Sequence, residues 1–253
     1  VAPLYIQFPE GEVNSDDLTP DQFYDRLEKM APHVPTTAQP SAGIFAELYR
    51  KLGLKNDEIM SIHISSGLSG TIQSAILGVQ NVPNVVIHMV DAMTLSGGER
   101  FQVLAAALAG RAGKSKDFIL DRLAKIREST EVIYTLETLE YLQRGGRIGR
   151  VQALAGMLLK IKPVIHVDKK DGKYTTLGKE RTVPKALEAI AAHIETIYGD
   201  QVPLWVTVLH GRFEEQAERL AILMRERVNV AKLEVKRISP VLGVHTGPGI
   251  VGL

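Results

Sequence analysis

The sequence predicts an α/β protein of two domains: a doubly wound, mostly parallel N-terminal sheet, then a second α/β domain with a mixed or antiparallel sheet. Three observations carry this. Strand-like and helix-like patterns alternate along most of the 253 residues. Val85 to Val90 is a continuous apolar run of the kind found in parallel strands buried on both faces. From Glu131 the rhythm changes, and two strand patterns, Pro163 to Val167 and Tyr174 to Leu177, flank the turn dipeptide Asp171-Gly172 without room for a crossover. The boundary is placed at residues 1–129 and 130–253.

The elements follow in order. Val1 to Phe8 is an apolar strand pattern; because it starts at once from a residue other than Met, an upstream segment is expected. Thr19, Pro20 and Gln22 have the spacing of a capping box with proline at the first helical position, ahead of Phe23, Leu27 and Met30. Pro32 and Pro35 close that helix, and Thr36 to Ser41 has the composition of a surface loop. Phe45, Leu48, Tyr49 and Leu52 mark a second helix that stops at Gly53. Met60, Ile62 and Ile64 then alternate with Ser61, His63 and Ser65, a strand with one apolar and one polar side. Helices are expected near Gly98 to Ala112 and Ser115 to Arg127. The second half adds a strand at Val132 to Leu136, a short helix, a Gly/Arg turn, a small-residue helix and the hairpin. A helix carrying Leu187, Ile190, Ile194 and Ile197 follows, then a strand from Leu204, a helix from Phe213 and a strand from Leu233 to Ile238.

Composition narrows the function. With 30 basic and 29 acidic residues the chain lacks the charge of a general nucleic-acid or membrane-surface binder. Zero cysteines exclude disulfides, thiol catalysis and thiolate metal sites, and fit a cytoplasmic home. No apolar run approaches the roughly 20 residues that span a bilayer. Nucleotide-binding glycine motifs are missing, and the seven histidines show no metal-ligand spacing.

Four segments combine polar side chains with Gly or Pro: Thr36 to Ser41, Ser61 to Thr71 (SIHISSGLSGT), Arg144 to Arg150 (RGGRIGR) and His245 to Gly249 (HTGPG). The second lies beyond a strand and opens a helix, where free N–H groups, hydroxyls and the helix dipole suit a carboxylate or phosphate. It also reads as an ordinary strand-to-helix turn capped by Ser69. Arg144, Arg147 and Arg150, with Lys160 and Lys162 near in sequence, suit phosphate or an acidic partner, or form a solvated loop. His245 reads as a ligand or as a tail histidine bound to a backbone carbonyl. Ser65 or Ser66 with His63 or His245 and Asp91 supplies the residue types of a serine hydrolase, without the G-x-S-x-G elbow.

Together these segments resemble the DegV-like family, bacterial fatty-acid-binding proteins that include the acyl-binding subunit of fatty acid kinase. The likeness runs through Thr37-Ala-Gln-Pro-Ser41, Ile62 to Thr71, Leu139 to Ile148, Ile161-Lys-Pro163, Arg181 and His245 to Gly249. It implies two α/β domains with a fatty acid in a tunnel between them, and a carrier without catalytic activity or cofactor. It implies that the carboxylate is held by Thr37, by Ser66 with Ser65 beside it, and by His245. Gly67, Ser69, Gly70, Thr71 and Thr246 join the ligand-binding set. Arg147 and Arg181 are implied to face a partner kinase subunit or the acyl-phosphate. Cytoplasmic location and transient membrane contact to exchange lipid go with that role, and no nucleic acid or metal does. Two departures stand out. Ala38 replaces the serine usual in the family, and the usual opening strand with its Asp-Ser-Ser/Thr-Ala-Asp-Leu segment does not precede Val1.

Overall fold

A computed structural model describes residues 1–55, 58–151 and 161–253. In chain order the elements are β1 (Tyr5–Phe8), β2 (Gly11–Asn14), α1 (Pro20–Lys29), β3 (Thr36–Ala38), α2 (Ala42–Gly53), β4 (Glu58–His63), α3 (Thr71–Val79) and β5 (Val86–Asp91). They continue with α4 (Ser96–Arg111), α5 (Lys116–Glu128), β6 (Ile133–Leu136), α6 (Glu140–Arg144), β7 (Lys162–Val167), β8 (Tyr174–Glu180) and α7 (Val183–Tyr198). Last come β9 (Leu204–His210), α8 (Glu214–Arg227), β10 (Val230–Arg237), α9 (Pro240–Thr246) and β11 (Ile250–Gly252). The small-residue helix expected after the arginine turn falls on 152–160 and lies outside the described residues, as does Lys160.

The protein is α/β, its sheets including a parallel one and a mixed one, and it divides into two compact units. The first unit comprises Val1–Tyr5, Thr37–Thr130 and Asp168–Lys173; the second comprises Ile6–Thr36, Glu131–Val167 and Tyr174–Leu253.

In the first unit β4 and β5 run parallel, in register from Glu58↔Val86 to His63↔Asp91. Phe45, Ala46 and Tyr49 of α2 pack with Ile59, Ala75 and Val82. The Ser41 hydroxyl caps α2 by accepting from Ile44 N at 3.3 Å, and Ser115 caps α5 the same way through Phe118 N. The apolar run of β5 is not buried on both faces as its composition suggests. Val86 is 51% exposed and the rest of the strand is half-buried. Among the described residues β5 pairs with β4 alone, which leaves its other edge unpaired.

The β4 alternation is present, but its polar side is the more buried one. His63 and Ser65 are buried while Met60, Ile62 and Ile64 are half-buried. Burying a polar side chain costs little only when its hydrogen bonds are met, and here they are. The Tyr49 hydroxyl lies 2.7 Å from Ser61 Oγ, which lies 2.8 Å from His63 Nε2. Thr36–Ala38, expected as loop, is extended as β3, in keeping with two consecutive β-branched threonines.

The second unit holds a six-stranded sheet ordered β10-β9-β11-β6-β7-β8. β10 and β9 are parallel; β11 is antiparallel to both β9 and β6, and β6-β7-β8 continue antiparallel. The predicted hairpin is therefore observed. Ile133, Val164, Val208 and Val251 pack under Leu187 and Ile190 of α7 and Leu220 and Met224 of α8. The capping box of α1 forms as its spacing predicts: Thr19 N donates to Gln22 Oε1 at 2.9 Å and Gln22 N to Thr19 Oγ1 at 3.2 Å. Phe23, Tyr24 and Leu27 of that helix are buried, and Arg212 at the end of β9 ties to it. Its guanidinium meets Asp25 at 2.5 Å and Glu28 at 3.0 Å.

Candidate ligand-binding site

Thr37, Ser65, Ser66, Gly67, Ser69, Gly70 and Thr71 all belong to the first unit. The segment after Thr37 and the loop after β4 meet there. Gln39 Nε2 donates to Ser74 Oγ at 2.8 Å, and its amide lies so close over Gly70 that a Cβ there would stand 2.7 Å from Gln39 Oε1. Thr37 and Ala38 are half-buried in β3.

Within the loop the hydroxyls have separate fates. Ser65 is fully buried; its Oγ donates to Gly172 O at 2.9 Å and accepts from Gly67 N at 3.1 Å. Ser69 does not cap α3, whose cap is Gly70 with no side-chain bond. Ser69 Oγ instead pairs with Thr71 Oγ1 at 2.8 Å and accepts from Thr71 N at 3.3 Å. That leaves Ser66, which is exposed and whose hydroxyl has no partner among the described residues. Its backbone N–H is occupied, however, by the Asp91 carboxylate, with oxygens at 3.2 and 3.3 Å. This loop is thus not an open cradle of amides for phosphate.

A hydrolase constellation is not assembled in this unit. His63 Nε2 faces Ser61, and the Ser65 hydroxyl proton is directed at Gly172. Burial holds the His63 imidazole down to about 4, only partly offset by the nearby Asp91 charge, so it is neutral at pH 7.

The second unit brings the other two segments together. His245 and Thr246 sit in the last turn of α9, a helix the tail composition did not announce. Thr246 is buried and its hydroxyl donates to Leu242 O at 3.0 Å. The His245 ring lies against Gly145, where a Cβ would overlap Nδ1 and sit 3.2 Å from Cε1. Gly247, at φ 72, similarly receives the Tyr141 ring. Arg147 folds back on this turn, Nη1 donating to Gly145 O at 2.7 Å. Burial, and then the Arg147 charge, lowers the His245 imidazole to about 4. Arg181 is exposed just before α7.

Tyr141, Gln39, Gly172 and Asp91 were not in the expected binding set. Tyr141 and Gln39 stand inside stretches that carry the family resemblance, Leu139 to Ile148 and Thr37 to Ser41, and could have been included on that ground. Gly172 was visible only as a turn residue, and Asp91 only as a strand end and as the acid of a possible hydrolase triad. No described helix is long and apolar enough to cross a membrane, and no described group of His, Asp and Glu side chains is placed to hold a metal.

Residues 1–253 match the profile of the DegV family, described as uncharacterised protein. A DegV domain-containing protein of Deinococcus radiodurans is 35% identical over 253 residues, covering 100% of this chain and 87% of the relative. Two solved structures are also similar. One, described by fatty-acid binding of a DegV family protein from Thermus thermophilus, has TM-score 0.88 at 32% identity and covers 100% of this chain and 89% of that one. The other, DegV, a fatty acid binding protein from Bacillus subtilis, has TM-score 0.86 at 32% identity over 99% and 88%.

Proposed function

Because this chain belongs to the DegV family, we propose that it is a non-enzymatic carrier of a long-chain fatty acid. What supports this most is likeness along the whole chain to solved structures described as fatty-acid-binding proteins. Thr37, Ser66 and His245 hold the carboxylate in this reading.

The energetics suit such a ligand. Each methylene leaving water contributes about 0.8 kcal/mol, so a chain of a dozen or more supplies on the order of 10 kcal/mol before the cost of ordering it. Polar groups then need only orient the head group. Hydroxyls and a neutral imidazole do that without a permanent counter-charge or a catalytic base. The carrier presents the carboxylate to a separate kinase in the cytoplasm, with Arg147 and Arg181 toward that partner and brief membrane contact to exchange lipid.

The test is mass spectrometry of lipid extracted from the purified protein, with titration of the delipidated form by palmitate. A co-purified long-chain acid and saturable binding are expected; an empty protein with no affinity for such acids refutes the reading. For the kinase, Arg181→Glu should weaken its docking while palmitate still binds.

A further inference from the structure

In the first unit the loop after β4 and the turn after β5 are joined by a small set of bonds that converge on Asp91. Ala92 N donates to His63 O at 2.9 Å, and Ser65 N to Thr94 O at 2.8 Å. Ser66 N reaches both Asp91 oxygens, and Asp91 Oδ1 also accepts from Met93 N at 2.9 Å. From behind, buried Gln102 donates its amide to Ala92 O at 2.9 Å.

This turn is strained. Met93 and Ser96 both have φ 53, in the left-handed region that side-chain-bearing residues rarely occupy. Each such residue costs about 1–3 kcal/mol and persists only where its surroundings over-determine it. At Met93 that constraint comes from its own bond to Asp91 and from the Gln102 bond to the preceding Ala92 carbonyl. The same carboxylate fixes the backbone of the one loop serine whose hydroxyl is exposed and unpartnered among the described residues.

Among the described residues Asp91 makes no ion pair. His63 on β4 is neutral at pH 7, and Glu99 on α4 is a second carboxyl within electrostatic reach. A ligand head group at Ser66 therefore meets a hydroxyl backed by negative charge. One negative charge on the ligand is tolerable there with hydroxyl donors; a second one is opposed.

Resting on the fatty-acid reading, we infer that Asp91 is a positioning residue of the head-group site, setting Ser66 through its amide and biasing the site toward a carboxylic acid over a phosphate of equal chain length. Discrimination comes from repulsion as much as from attraction. An asparagine at 91 can keep Oδ1 on both amides while losing the charge; an alanine loses both.

Palmitate and hexadecyl phosphate, titrated into delipidated protein, separate these roles. The wild type is expected to prefer palmitate by tenfold or more. Asp91→Ala should bind palmitate about tenfold more weakly. Asp91→Asn should bind it at least threefold more tightly than the alanine variant, with its preference over hexadecyl phosphate narrowed below threefold. That narrowing is not what a merely structural role would produce, and it can be read even if the alanine variant does not fold. Wild-type preference retained in Asp91→Asn, or wild-type palmitate affinity in Asp91→Ala, overturns the inference while leaving the carrier reading intact. A wild type that binds neither ligand overturns the carrier reading itself, and this inference with it.

Discussion

The Ser65 hydroxyl donates to the Gly172 carbonyl at 2.9 Å, and the two residues approach so closely that no Cβ fits on Gly172. Gly172 also sits at φ 65, where a side chain is strained whatever the space. Gly67 repeats the pattern, since a Cβ there would stand 2.6 Å from Asp171 O. The segment Asp168–Lys173 is thus fastened to the loop after β4 by one of the two serines that sequence alone offers as a nucleophile.

Gly172→Ala should therefore destabilise the protein by about 2–3 kcal/mol, from the left-handed backbone together with the clash. Ser65→Ala should cost about 1–3 kcal/mol, because it leaves a buried carbonyl without its donor. Urea unfolding of both variants checks this. A Ser65→Ala protein as stable as the wild type would mean the bond contributes nothing.

Gly145→Ala addresses the second unit. Gly145 has φ −76 and ψ −2, which alanine adopts freely, so the substitution acts through its Cβ. That atom would overlap His245 Nδ1 and displace the ring. Palmitate affinity is expected to fall about tenfold with only a small loss of thermal stability, measured by calorimetric titration and melting. Unchanged affinity would remove His245 from the head-group set.

What the sequence disclosed was local. The capping box at Thr19 and Gln22 is legible because it spans one helical turn, and the β7–β8 hairpin because its turn chemistry lies between two strand patterns. Which side of β4 is buried was not legible. Alternation gives the period but not which side faces the core, and the answer depends on Tyr49 being available to satisfy Ser61. The tail hid α9 and β11 for a related reason. β11 has three residues and is stabilised by β9 and β6 on either side, not by its own pattern. Among the site residues, Asp91 is 25 positions from Ser66, and only the parallel pairing of β4 with β5 brings them together.

Arg212 gives a test of how the HTGPG segment is braced. Its backbone N donates to Pro248 O at 2.7 Å while its guanidinium meets Asp25 and Glu28 of α1. Tyr24 of the same helix directs its hydroxyl to Gly247 O at 3.4 Å. Arg212→Ala should cost about 1–2 kcal/mol, more than an isolated surface pair, because one side chain serves several carboxylates. Because these are partly exposed charges, the cost should shrink in 0.5 M salt. A salt-independent cost would point to lost packing of the arginine stem instead.

Stability should depend on pH through two groups in the first unit, the buried His63 and the half-buried Glu99, that act in opposite directions. The His63 imidazole titrates near 6.5 when unfolded and is lowered to about 4 when folded, chiefly by burial. Above pH 6.5 it costs nothing; as pH falls from 6.5 toward 4 the unfolded chain takes up the proton first, and stability is lost, on the order of 3 kcal/mol in all. The Glu99 carboxyl moves the other way, from 4.5 up to about 7, through burial and then the Asp91 charge. The folded state keeps a proton that the unfolded chain releases, so stability falls as pH rises from 4.5 to 7. Glu99→Gln should accordingly be more stable than the wild type at pH 8, by roughly 1–2 kcal/mol after allowance for water at the half-buried side chain, and indistinguishable from it at pH 4. His63→Gln should make the acid limb shallower, the buried His245 keeping its own share of it, and leave the alkaline one. Urea midpoints measured from pH 4 to 8 decide the matter: a Glu99→Gln advantage of constant size across that range would show that the carboxyl is not the group responsible.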